Sequence, residues 1–260
     1  MNYCTSMNGG IGDALLYMMR PESDLGYFRS LKERGHKTMI QWVAHSADAC
    51  ELLYDLPYVD HIRFVGGNVK IDTTRVTNDA DAKWSRINHN HERNLLWYKP
   101  KLSLLDDELD AIDLITEKPY IAVHATASAM NKCIPDPEGL LKAICRRSEM
   151  PVYLLGGPDE RTDFKHGALT NLIGVPSLRL HVAVAQRAAK FVGPLSCFNC
   201  AAQLAKVPSF VIVNQSIKEP TIYKMMTDNG ARVVPFNGRP IPALHREAAE
   251  WATGMYEAPL

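Results

Sequence analysis

Gly9-Gly10-Ile11-Gly12-Asp13 brings a carboxylate and unhindered backbone N–H groups to the start of an apolar helix, Ala14-Leu15-Leu16. Glycine tolerates positive φ and puts no side chain between backbone and ligand, while a helix start offers unpaired N–H donors and a positive dipole end. Gly10 and Gly12 therefore suit the approach of a reacting hydroxyl or a phosphate. Asp13 suits a general base that takes the proton of that hydroxyl. Plain capping explains the same aspartate, because a carboxylate that accepts first-turn N–H bonds has a lowered pKa and is a weaker base. Spacing alone favours the cap. The glycines match neither the G-x-G-x-x-G dinucleotide fingerprint nor a Walker loop ending in G-K-[ST].

Three further groupings have chemical spacing. Lys83, Arg86, Arg93, Lys99 and Lys101 are interleaved with Trp84, Trp97 and Tyr98, a mixture that can hold phosphates and stack on rings. A solvated loop whose aromatics pack on the domain explains it equally well. Asp79-Ala80-Asp81 has the D-x-D spacing of metal–nucleotide sites, but it follows the polar run Thr73-Thr74-Arg75-Val76-Thr77-Asn78 rather than an apolar strand, and it reads as a surface turn. Cys197-Phe198-Asn199-Cys200 has redox or zinc spacing. No second ligand pair accompanies it, which argues against zinc.

The elements that must position these residues are those of a soluble α/β chain. Its 260 residues suffice for one large domain or two small ones, and Lys+Arg equal Asp+Glu at 29 each, so no global field draws in a polyanion. No run of eighteen apolar residues and no signal peptide is written in the sequence, which gives a cytoplasmic expectation. Cys4, Cys50, Cys133, Cys145, Cys197 and Cys200 lie in apolar segments and read as reduced, mostly buried thiols. Strand patterns at 2–6, 38–43, 61–65, 120–124, 152–155, 190–192, 210–213 and 232–234 alternate with helical patterns at 13–19, 24–34, 47–55, 137–148, 180–189, 196–205, 221–229 and 244–253. That alternation is the mark of βαβ units and a parallel sheet, with ligand loops at the strands' C-terminal ends. It fades between Gly66 and Glu117 and resumes after Lys118-Pro119. Two Rossmann-like domains, 1–117 and 118–260, facing an interdomain cleft are the expectation.

At this resolution of detail the chain resembles the heptosyltransferase-type glycosyltransferases, glycosyltransferase family nine. Gly12-Asp13-Ala14-Leu15-Leu16 is similar to the family's opening turn, and Leu31-Lys32-Glu33-Arg34-Gly35-His36 to the helix end that follows. Leu52-Leu53-Tyr54-Asp55-Leu56-Pro57-Tyr58-Val59-Asp60 resembles its next segment. In the second half, His124-Ala125-Thr126-Ala127-Ser128 through Lys132-Cys133-Ile134-Pro135, and Val152-Tyr153-Leu154-Leu155-Gly156-Gly157-Pro158-Asp159-Glu160, resemble its donor-side loops. Where the family carries Asp-Ser/Thr-Gly-x-x-His, this chain has Leu195-Ser196-Cys197-Phe198-Asn199-Cys200. Only Ser196 of that motif survives.

The resemblance implies a GT-B fold with the acceptor in the first domain and a nucleotide-sugar in the second. It reverses the reading of Asp13 from cap to general base. Under it, Lys132 neutralises the donor diphosphate, with Thr126 and Ser128 as further donors, although a solvated lysine and two turn-closing hydroxyls are the plain alternative. Ser196 and the N–H groups behind it hold the pyrophosphate, cap a helix, or do both. Gly156 and Gly157 shape a turn under the base or ribose, or simply a strand-to-helix turn. Glu219 accepts from ribose hydroxyls or is a solvated loop acid. Gly10, Gly12, Arg86, Arg93 and Trp97 then fall on the acceptor side.

The resulting expectation is an inverting, metal-independent glycosyltransferase that uses no cofactor beyond its nucleotide-diphosphate sugar. Its acceptor would be a glycan or lipopolysaccharide core. Two alternatives stand beside it: a phage-type DNA glycosyltransferase acting on hydroxymethylpyrimidines, and a GT-B-fold binding protein that has lost catalysis.

Overall fold

The computed structural model describes residues 2–8, 11, 15, 24–44, 50, 56–66, 84–86, 110, 112–113, 118–127, 132–157, 159–160, 162–175, 177–213, 226–227 and 230–254. The chain divides into two compact units, Met1–Ser103 and Leu104–Leu260. Residues 104–117, expected at the end of the first domain, thus side with the second. Within this segment Ile112 is fully buried, and Asp113 Oδ1 accepts from Arg187 Nη1 at 3.4 Å.

In the first unit, β1 (Asn2–Asn8), β2 (Lys37–Ala44), β3 (His61–Gly66) and β4 (Trp84–Arg86) form a parallel sheet in the order β3-β2-β1-β4. Helix α1 (Asp24–Glu33) connects β1 to β2, and Phe28, Leu31, Ile40 and Trp42 are buried. Ile11, Leu15 and Cys50 are helical, as the patterns at 13–19 and 47–55 predict in part. Asp60, which ends the Leu52–Asp60 motif, has a structural task. Its carboxylate accepts the Thr38 N–H at 2.8 Å and pairs with the Lys32 ammonium, which ties the end of α1 to the starts of β2 and β3. Burial pushes its pKa up, but the Lys32 hydrogen bond, the Thr38 N–H and the Lys32 charge outweigh this and hold it below the ordinary range.

Strand β4 lies within the basic-aromatic stretch, where the sequence pattern predicts no strand. Trp84, Ser85 and Arg86 pair with Asn2, Tyr3 and Cys4 of β1, so their backbone is committed to the sheet.

In the second unit, β5 (Ile121–His124), β6 (Val152–Leu155), β7 (Leu169–Asn171), β8 (Lys190–Pro194), β9 (Ser209–Val213) and β10 (Ala231–Pro235) form a parallel sheet in the order β10-β9-β8-β5-β6-β7. The chain winds outward from β5 through β6 to β7. It then returns to the other side of β5 as β8 and winds outward again. This is the doubly wound order, and the reversal between β5 and β8 is where such sheets open a crevice at their strands' C-terminal ends.

Both faces of this sheet are covered at its centre, which is why β5, β6 and β9 read as apolar runs. On one face Ile121, Val123, Val152, Leu154, Val192, Phe210 and Ile212 pack with Leu140, Leu141 and Ile144 of α2 (Pro137–Cys145) and Leu244, Ala248, Ala249 and Ala252 of α5 (Ile241–Ala252). Helices α3 (Leu178–Arg187) and α4 (Cys197–Leu204) pack on each other. Ser177 caps α3 by accepting the Leu180 N–H at 3.1 Å. No helix among the described residues is long and apolar enough to cross a membrane.

Candidate functional site

Three side chains from three strand ends meet at the reversal of the second sheet. His124 is the last residue of β5, Glu160 follows β6, and Ser196 follows β8 as the N-cap of α4. His124 Nε2 lies 2.8 Å from Glu160 Oε2, and His124 Nδ1 lies 2.9 Å from Ser196 Oγ. Thr126 donates its hydroxyl to the same Glu160 oxygen. The histidine is 2% exposed, whereas the Glu160 side chain is partly open to solvent.

Local rules explain why each group sits there. Gly193 lets β8 run close against the end of β5, because a Cβ at this position would come within 2.8 Å of the His124 carbonyl oxygen. Gly156 leaves room for the glutamate, since a Cβ there would stand 2.9 Å from Glu160 Oε2 and 2.8 Å from Ile173 Cγ1. Ser196 is extended, with φ −135°, and accepts the Asn199 N–H at 3.4 Å, as an N-cap should.

Phe198, on the first turn of α4, meets the His124 ring in a T-shaped contact with centroids 4.9 Å apart and stacks on His181 of α3 with centroids 5.6 Å apart. The imidazole of His124 is therefore fixed by two hydrogen bonds and an aromatic wall.

The Glu160 charge governs which proton positions suit the ring. Burial raises the Glu160 pKa, but the His124 hydrogen bond and charge, the Thr126 hydroxyl and the Gly157 N–H together hold it below the usual carboxylate range. Glu160 is thus an anion that only accepts. In a neutral His124 ring the single N–H belongs on Nε2, facing that carboxylate, which leaves the Nδ1 lone pair to receive the Ser196 hydroxyl proton. Cys197, next in the chain, is the opposite case. Burial, with the Glu160 charge adding to it, pushes its thiol up to about 12, so it stays protonated. No group of three His, Cys, Asp or Glu side chains among the described residues is arranged to hold a metal.

The structure therefore brings Thr126, Gly156, Gly157 and Ser196 together, with Thr126 and the glycine turn serving Glu160 directly. Lys132 lies on the loop that follows β5. That loop is tied down by Cys133 Sγ donating to the Ala127 carbonyl at 3.2 Å and by His245 Nε2 of α5 donating to the Pro135 carbonyl at 3.1 Å. The Lys132 ammonium has no ion-pair partner among the described residues. Arg86 is placed by its backbone in β4. Gly10, Gly12, Asp13, Arg93, Trp97, Ser128 and Glu219 lie outside the described residues, as does Asp79-Ala80-Asp81.

His124 and Glu160 are the residues that motif reasoning passed over. The available signal was a histidine closing an otherwise apolar strand pattern, and an acid placed just after the Gly156-Gly157 turn.

No protein-family profile matches the chain, and no curated protein matches it either. Solved structures do. The glycosyl transferase family 9 structure from Veillonella parvula aligns over 98% of this chain and 96% of its own at 10% identity, with a TM-score of 0.64. E. coli ADP-heptose lps heptosyltransferase II aligns over 96% and 98% at 15% identity, with a TM-score of 0.60. E. coli heptosyltransferase WaaC with ADP aligns over 98% and 100% at 13% identity, with a TM-score of 0.58. At these identities the likeness is one of fold, and it extends along nearly the whole chain: α/β of the GT-B type, as expected from the sequence.

Proposed function

We propose that the protein is an inverting glycosyltransferase that moves a sugar from a nucleotide-diphosphate sugar to an acceptor hydroxyl. The observation that carries this reading is the cluster of His124, Thr126, Glu160 and Ser196 at the reversal of a doubly wound sheet, the place where such sheets take nucleotides. The fold shared with heptosyltransferases, one of them solved with ADP, supports a nucleoside diphosphate as the leaving group.

The charges divide the site. A diphosphate beside the Glu160 anion is repelled, whereas ribose or sugar hydroxyls donate to it favourably. Glu160 accordingly takes the ribose hydroxyls, the role expected of Glu219 from sequence. The diphosphate goes to the Lys132 ammonium and the N–H groups that open α4.

For the transfer itself, the acceptor oxygen bonds to the anomeric carbon as the bond to the nucleoside diphosphate breaks, with inversion. Asp13 takes the acceptor proton, and Lys132 offsets the charge that grows on the leaving diphosphate.

Thermal unfolding with a panel of nucleoside diphosphates and their sugars tests the binding half. A ligand bound only by the native state at 100 times its Kd adds about 2.7 kcal/mol of stability. An upward shift that is lost in Lys132→Ala is expected, and no shift with any member overturns the reading. Binding without turnover would instead identify a binding protein that keeps the fold.

A further inference from the structure

The hydrogen-bonded series Glu160, His124, Ser196 has a use beyond holding a nucleotide. Read from the carboxylate outward, Glu160 Oε2 meets His124 Nε2 at 2.8 Å and His124 Nδ1 meets Ser196 Oγ at 2.9 Å. An acid orients one ring nitrogen, the ring offers the lone pair of the other to a hydroxyl, and the hydroxyl oxygen keeps one lone pair beyond the one that accepts the Asn199 N–H. Those are the three roles of an acyl-transfer triad, which is recognised by geometry and roles rather than by sequence position; here the two ring nitrogens are exchanged relative to the usual triad, with Nδ1 on the serine and Nε2 on the acid. We propose that Ser196 is an activated nucleophile that attacks small carboxylic esters, with His124 as its general base and Glu160 as the residue that positions the base.

Capping does not compete with this. As an N-cap, Ser196 needs only to accept the Asn199 N–H, and that contact is the longer one at 3.4 Å. Its own proton still needs an acceptor, and His124 Nδ1 provides it at 2.9 Å. The neighbouring thiol is excluded as the nucleophile because Cys197 stays protonated. Phe198 and the Glu160 hydrogen bond keep the ring from turning away, and negative charge developing on an attacked carbonyl lies at the positive end of α4.

The step balances within the chain and the ester. Oγ bonds to the acyl carbon, the bond from that carbon to the alcohol oxygen breaks, and the serine proton passes through His124 Nδ1 to the departing alcohol. Water then gives its proton to the same nitrogen as it attacks the acyl-serine, and the carboxylic acid leaves with Ser196 restored. No oxidant, metal or nucleotide is needed, so this activity stands or falls separately from the glycosyltransferase reading.

The test uses the full chain with a fluorophosphonate, followed by peptide mapping, and with p-nitrophenyl acetate. The expected result is one adduct per chain on the peptide carrying Ser196, with fluoride displaced, and none in Ser196→Asn, which keeps the cap but has no hydroxyl. His124→Ala is expected to slow both labelling and ester hydrolysis by at least about 100-fold, with part of the rate returning on addition of imidazole. Thermal unfolding verifies that each variant is folded. An unlabelled native protein, an adduct elsewhere in the chain, or an unchanged labelling rate in His124→Ala overturns the proposal.

Discussion

Gly193 passes so near His124 that a Cβ on it would stand 2.8 Å from the His124 carbonyl oxygen and 3.0 Å from the Phe191 ring. The β5–β8 pairing is where the sheet reverses, and His124 and Ser196 extend beyond it on the two strands. A methyl group at Gly193 meets backbone rather than a yielding side chain. Gly193→Ala should therefore cost about 1–3 kcal/mol of stability by overpacking, seen in urea unfolding. It should also abolish the upward shift given by nucleoside diphosphates, because Ser196 moves off His124.

Replacing Glu160 separates charge from shape. Glu160→Gln keeps the side-chain volume and an oxygen for His124 but removes the anion that accepts sugar hydroxyls. A charge-assisted hydrogen bond is worth roughly 1.5–3 kcal/mol, so affinity for a nucleoside diphosphate should fall roughly 10- to 100-fold by calorimetry. A 2′,3′-dideoxy analogue, which has no diol, should lose little. Equal losses for both ligands would remove the ribose role.

Acid should weaken the fold in two stages. Burial lowers the pKa of both His181 and His245 below the ordinary 6.5. The unfolded chain thus binds protons that the native chain refuses, and stability falls as pH drops below about 6.5, by up to about 1.4 kcal/mol per pH unit for each ring. Glu160, held below its ordinary 4.5, contributes stability that is present above that value and lost as pH falls through its lower native pKa. Urea midpoints measured from pH 8 to pH 3 should decline first below 6.5 and again below 4.5. A flat profile between 8 and 5 would contradict the neutral, buried state of the two histidines.

Asp13→Asn should lower the rate of sugar transfer by about 100- to 10,000-fold while leaving nucleotide affinity intact, since the proposed base acts on the acceptor and not the donor. Direct binding and turnover measured on the same preparation distinguish this from a cap. A capping aspartate would instead leave both turnover and stability nearly unchanged in this variant, because asparagine caps a helix as well as aspartate does.

Added EDTA should not change the rate of transfer. A loss restored by manganese would return Asp79-Ala80-Asp81 to consideration as a metal–nucleotide site.

The central strands of the second sheet were legible because they are buried on both faces. Ile121–His124, Val152–Leu155 and Ser209–Val213 carry the apolar runs that such burial requires. Leu169–Asn171 was missed for the converse reason. It is a three-residue edge strand with one apolar side chain, held by pairing to β6. Trp84–Arg86 lay in a polar stretch with no period to read, and only its pairing with β1 makes it a strand.

Sequence alone determined the α/β class, the parallel strands, the Gly156-Gly157 turn and the serine at the start of α4, because local conformation and burial leave their mark on neighbouring residues. It did not determine that His124 would lie between Glu160 and Ser196, which are 36 and 72 positions away along the chain. Strand order decided that: β8 returns to the side of β5 opposite β6. The order of strands is settled by packing across the whole sheet, and no local pattern records it.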